Sequence, residues 1–201
     1  MPKVSEEHRN ARRETITQAA LSCFQQYGYD GTSMSQIIKA SGLSAGAIYS
    51  YFPSKADIFQ AVTESIIASR QQGLAPLTSG DIKTPADIMR SLLEALDTGA
   101  AAPSLVQLWS QAVVDDNIRP IVDRFIDDLA DIVSEALERW AQHTNQTTPT
   151  SPTWATDSAA LFTGAAQGFI LRKAIQENFD TVSYINTAST WAEKANALPQ
   201  H

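Results

Sequence analysis

Residues 31–55, GTSMSQIIKASGLSAGAIYSYFPSK, decide the fold of this chain. The stretch predicts two short helices joined by a tight turn. Ser33 is placed to cap the first helix, and Gln36 three residues on completes a capping box. Ile37 and Ile38 give that helix an inward face, and Gly42 supplies the backbone freedom a sharp turn needs. Ser44 caps the second helix, which runs from Ala45 to Phe52. Ile48 and Phe52, four residues apart, share the face that packs on the first helix. Ala45, Gly46, Ala47, Tyr49 and Ser50 are left pointing outward. Small residues there let a helix backbone sit deep in a major groove, and the hydroxyls reach phosphates or base edges. This is helix-turn-helix geometry.

Outward from this stretch, apolar residues recur at helical spacing. Ile16, Ala19, Ala20, Cys23, Phe24 and Tyr27 form one stripe, which predicts a first helix ended by Gly28. Pro53 stops the third helix, and Ser54 caps a fourth from Lys55 to about Gln72 with Ile58, Phe59, Val62 and Ile66 inward. Gly73 to Thr84 reads as a loop. Pro85 opens a fifth helix carrying Met89, Leu92, Leu93 and Leu96. A sixth starts near Pro103 with Leu105, Leu108, Trp109, Ala112 and Val113 inward. A seventh spans about 118–142, with Val122, Phe125, Leu129, Val133, Leu137 and Trp140 inward and a solvated acidic outer face. Residues 144–153, TNQTTPTSPT, read as a polar linker. Two more helices, 154–177 and 181–196, close the chain. No strand pattern persists, so the expected class is all-α.

The charge is unevenly spread. Net charge is −7, yet residues 1–55 carry six Lys/Arg against four Asp/Glu, a net of +2. The body is therefore strongly acidic, and DNA is expected to meet the head alone. The single cysteine excludes an internal disulfide. There is no signal-peptide pattern and no long apolar run, so a soluble cytoplasmic protein is expected. His8, His143 and His201 are scattered, and no metal-ligand spacing, phosphate-binding glycine loop or nucleophile elbow occurs. Neither an enzyme nor a cofactor is expected.

The run T-S-M-S-Q-I-I-K-A-S-G-L-S-A-G-A-I-Y-S-Y-F-P-S-K resembles the DNA-binding head of the Tet repressor (TetR) family of bacterial regulators, most strongly over Ile48–Lys55. The resemblance covers roughly residues 11–60. It implies a helix-turn-helix domain at 1–54 and a ligand-binding and dimerisation domain at 55–201. By position, Tyr49, Tyr51 and Lys55 match family sites that touch phosphates. Ser33 and Ser35 stand where the start of the first short helix meets phosphate. Ala45, Gly46, Ala47 and Ser50 match base-facing sites. There this chain is smaller than family members commonly are, which shifts sequence reading toward Ser35, Ser44, Tyr49 and DNA shape. The family also implies a palindromic operator, a homodimer through the last two helices, and a pocket in the body. Met89, Leu92, Leu93, Leu96, Trp109, Phe125, Leu129, Phe162 and Phe169 are the candidates to line it, favouring a hydrophobic effector. Asp97, Asp115 and Asp116 are candidate anionic ends. The alternative is a helical ligand-binding or scaffold protein whose head does not read sequence.

Overall fold

The computed structural model describes residues 6–79, 84–97, 102–143 and 152–196. Among these residues every regular element is helical: α1 (Glu6–Gly31), α2 (Met34–Ser41), α3 (Ala45–Tyr51), α4 (Lys55–Gly73), α5 (Ala75–Thr78), α6 (Pro85–Leu96), α7 (Ala102–Val114), α8 (Arg119–His143), α9 (Trp154–Ile175) and α10 (Thr181–Asn196). The predicted eighth and ninth helices are thus α9 and α10. Residues 144–151 of the expected linker, and His201, lie outside the described residues.

Helices α1, α2 and α3 form the head. Ile16, Ala20 and Phe24 of α1 meet Ile37 of α2 and Ile48 of α3 in a buried cluster closed by Phe52. The expected stop at Gly28 appears as a break rather than an end. Gly28 sits at φ 72°, ψ 172°, and one more turn succeeds it. That break explains a departure from the expected stripe. Tyr27 is 46% exposed, and Tyr29 turns inward in its place. Its ring lies 5.8 Å from Phe24 and 4.6 Å from Phe59, because a non-helical glycine rotates the next turn off the 3.6-residue register.

The body packs α8 against α9 and α6 against α10, with α7 laid on α8 and α9. Met89, Leu92, Leu93, Phe162 and Phe169 form its fully buried centre. The expected loop after Gly73 contains the short helix α5. Pro76 suits its first turn, and Leu74 and Leu77, three apart, are both buried beneath it. The Arg139 guanidinium donates to the Leu77 carbonyl and ties this turn to α8. Thr84 caps α6, accepting from the Asp87 amide at 3.1 Å. Val113, expected inward, is 72% exposed, since the core-facing stripe of α7 ends at Ala112.

Two links join head to body beside the continuous α4. Gln25 on α1 donates to the buried Ser104 hydroxyl on α7 at 2.9 Å. The turn after α7 also faces the head, since the Asp115 carboxylate is close enough to act electrostatically on Tyr29.

Candidate nucleic-acid interface

The outward surface of the head is built by three caps. The Ser33 hydroxyl accepts from the Gln36 amide at 3.3 Å, and Gln36 Oε1 receives the Ser33 amide at 2.7 Å, so the capping box is complete. Gly42 ends α2 in the left-handed region at φ 68°, which an L side chain adopts only with strain. Ser44 caps α3, its hydroxyl accepting from the Ala47 amide at 3.2 Å. These three residues fix where α3 starts and which face it shows.

Ile48 is fully buried, so the opposite face of α3 is free. Ser44, Ala45, Gly46, Tyr49 and Ser50 are exposed and Ala47 is half-buried. Tyr49 is 49% exposed, the largest side chain of this face. A Cβ placed on Gly46 would meet nothing within 4 Å, so the surface is open there. Ser33 and Ser35 are exposed at the start of α2. Several hydroxyls are already engaged: Ser33 in its capping box, and Ser50 donating to the Ala47 carbonyl at 2.6 Å. Ser35 and Tyr49 make no hydrogen bond within the described residues, which leaves their full donor capacity for a ligand.

Tyr51 and Lys55 sit differently. Tyr51 is half-buried against the head core. The Lys55 ammonium donates to the carbonyls of Tyr29 at 2.8 Å and Thr32 at 3.0 Å, and lies 4.3 Å from the centre of the Tyr29 ring. It binds the start of α4 to the end of α1, where helix-end carbonyls favour a cation. One of its three donors is left over. Arg13 is exposed, with its guanidinium 4.5 Å from the centre of the buried Phe52 ring, at the C-terminal end of α3.

Sequence reasoning missed Tyr29 and Thr32. The Thr32 hydroxyl is buried and donates toward the carbonyls of Gly28 at 2.7 Å and Cys23 at 3.2 Å, stitching the break in α1. The glycine before Tyr29 was the available signal. Burial, then the Asp115 and Asp30 carboxylates, push the Tyr29 phenol above its ordinary range. Burial also raises the Cys23 thiol, which disfavours the reactive thiolate.

In the body, a groove of about 650 Å³ lies between α7, α8 and α9, lined by Trp109, Ala112, Val113, Arg119, Val122, Asp123, Ile126, Gln167, Gly168 and Leu171. Of the nine expected lining residues it contains Trp109. Phe125 lines a second, more polar cavity of about 660 Å³ between α4 and α8, which Glu64, Arg124 and Asp128 also border. Met89, Leu92, Leu93, Leu96, Leu129, Phe162 and Phe169 are buried in the core, at neither cavity. The acidic candidates have partners. Asp97 pairs with Lys173, Asp116 with Arg119 at 2.8 Å, and Asp115 accepts from the Asn117 amide at 2.9 Å.

Comparison with known proteins agrees with the geometry of the head. Residues 16–62 match the family described as bacterial regulatory proteins, tetR family. A transcriptional repressor of Mycobacterium tuberculosis, Rv1474c, is 40% identical over 77 residues, which are 35% of this chain and 41% of that protein. The alignment therefore spans under half the length of this relative. Among solved structures, Salmonella enterica GusR superposes with a TM-score of 0.75 at 19% identity, covering 98% of this chain and 100% of that one. FadR of Bacillus subtilis, solved in complex with stearoyl-CoA, gives a TM-score of 0.71 at 16% identity, covering 90% and 97%. At these identities the structural likeness shows the shared fold.

Proposed function

We propose that this chain, which belongs to the TetR family of bacterial regulatory proteins, is a homodimeric repressor released from a palindromic operator by a small, largely hydrophobic molecule. The observation that carries this reading is the exposed face of α3. Ser44 and Gly42 fix it, Ile48 and Phe52 anchor it, and Tyr49 stands free upon it. A helix held in this way enters a major groove, and two heads related by a two-fold axis meet half-sites about 34–36 Å apart.

The apolar groove beside Trp109 supports a hydrophobic effector. The stearoyl-CoA held by the Bacillus subtilis protein is in keeping with that class. An effector in this groove touches Ala112 and Arg119, which flank the turn bearing Asp115, whose carboxylate acts electrostatically on Tyr29. It favours the DNA-free state only by its differential affinity for the two conformations.

The test is Tyr49→Ala. Loss of one hydrogen-bonding aromatic contact should weaken operator binding by about tenfold, the equivalent of about 1.4 kcal/mol, while fold and dimer survive. Unchanged affinity would remove the assigned docking face. The short side chains at Ala45, Gly46 and Ala47 favour a second reading, a head that holds DNA without reading it. That reading expects Tyr49→Ala to weaken every sequence equally.

A further inference from the structure

The second cavity, of about 660 Å³, is built unlike the groove beside Trp109. One wall is α4, where Gln60, Glu64 and Ala68 stand four residues apart and so share a face. The other is the first half of α8, where Ile121, Arg124 and Asp128 recur at steps of three and four. The buried side chains of Ile67 and Phe125, one from each helix, give it an apolar floor. Its volume lies within the range of small-molecule sites. It shares no lining residue with the groove. Asp116 borders this cavity and its ion-pair partner Arg119 borders the groove, so that pair stands in the wall between the two.

Charge on the rim decides what the cavity can hold. Glu64, Asp116 and Asp128 are exposed carboxylates there, and Arg124 is an exposed cation. Asp116 is neutralised by Arg119 at 2.8 Å. Glu64 accepts from the neutral Gln60 amide at 3.1 Å and keeps its charge. Neither Asp128 nor Arg124 makes an ion pair among the described residues. Two uncompensated carboxylates therefore stand against one guanidinium. Exposed Asp127 and Asp131 on the same helix deepen the negative potential.

We propose that this cavity is a second ligand site, separate from the groove, for an amphipathic organic cation. Its apolar body lies on Ile67 and Phe125, and its ammonium lies between Glu64 and Asp128. Carboxylates on a surface are ordinarily solvated. The buried apolar floor sets these apart, because it rewards burial of hydrocarbon, which a metal ion or a simple ammonium does not bring. An occupant touches α4 and α8 together, and so ties the helix that continues from the head to the body. The inference needs no DNA contact and is tested without one.

The experiment titrates the full chain with three fluorescent probes that share a dansyl ring: dansylcadaverine, a cation; dansylamide, neutral; and dansylglycine, an anion. Dansylcadaverine should bind about fivefold more tightly than either of the others, the gain expected from two part-solvated ion pairs. Glu64→Gln with Asp128→Asn should remove that gain and leave dansylamide binding unchanged. Both positions are exposed, so circular dichroism should match wild type. Glu135→Gln with Glu138→Gln removes the same charge farther along α8 and should change nothing. Ala68→Arg, which places bulk and a cation in the cavity, should abolish dansylcadaverine binding. Val113→Ser, in the other groove, should leave it intact. Dansylglycine bound as tightly as dansylcadaverine would assign the site to Arg124 and overturn the inference. Cation binding that survives either the Glu64 and Asp128 pair of changes or Ala68→Arg overturns it. Equal loss on changing Glu135 and Glu138 overturns it too, as does loss in Val113→Ser, which places the probe in the groove. The absence of saturable dansylcadaverine binding to wild type overturns it outright.

Discussion

Lys55 shows how a residue's neighbours decide its work. Its place in the sequence resembles a phosphate contact, yet its ammonium is held by two carbonyls and an aromatic ring. Removing a charged donor from such a site costs about 1–2 kcal/mol. Lys55→Ala is therefore expected to lower the thermal midpoint of the protein as well as its DNA affinity. If instead the salt slope of DNA binding falls by about one at unchanged stability, the side chain serves phosphate and the clamp is incidental. Tyr29 adds a pH dependence of known sign. Its phenol is raised above the ordinary range, so the folded state favours the protonated form. The associated stability is complete below the ordinary tyrosine range and is lost as pH rises through the raised value. Tyr29→Phe should flatten that alkaline fall in thermal midpoint. An unaltered alkaline limb would mean Tyr29 does not titrate there.

At the scale of elements, α3 depends on its cap more than on its composition. Seven residues including a glycine are too few to be helical alone. Ser44→Ala should cost about 1 kcal/mol, seen as a lower midpoint in chemical denaturation, and should weaken DNA binding through misplacement of Tyr49. Equal stability with and without the Ser44 hydroxyl would show that packing of Ile48 alone sets the start of the helix. The caps, the turn glycine and the anchors Ile48 and Phe52 were all readable in the sequence, because each is a local device with a fixed spacing. The inward turn of Tyr29 was not, because it depends on a single non-helical residue at Gly28. Nor was α5, since four residues around a proline carry too little periodicity to stand out from a loop. The groove was the least legible feature. Periodicity marks which residues face inward but not which of them border a cavity, and of the nine candidates for the pocket lining only Trp109 borders the groove. Its other walls mix buried residues that patterning marks as core, Ala112 and Val122, with exposed ones such as Val113 and Leu171, and patterning alone does not separate core from cavity wall.

For the whole molecule, the separation of charge bears on how the proposed DNA contact is made. A head of net +2 on a body of net −9 presents little bulk attraction. On the proposed reading, affinity rests on placed contacts and on joining two heads in one dimer. The structure supplies mechanical paths by which the body can act on those heads. The chain continues from α3 into α4, and Gln25 bonds to Ser104. Gln25→Ala, which removes one of these paths at an exposed residue, should leave operator affinity within a few-fold but reduce its loss on effector addition. A full effector response in that variant would assign the coupling to α4.

The central claim is that α3 reads a specific sequence. The most direct measurement is a selection of fragments bound by the purified protein from genomic DNA of its source organism, with affinity then measured against salt for the fragments recovered. The account predicts one inverted repeat, enriched at a few promoters, bound at least a thousandfold more tightly than unrelated DNA. Recovery of fragments with no shared sequence, all bound with the same salt-dependent affinity, would contradict it.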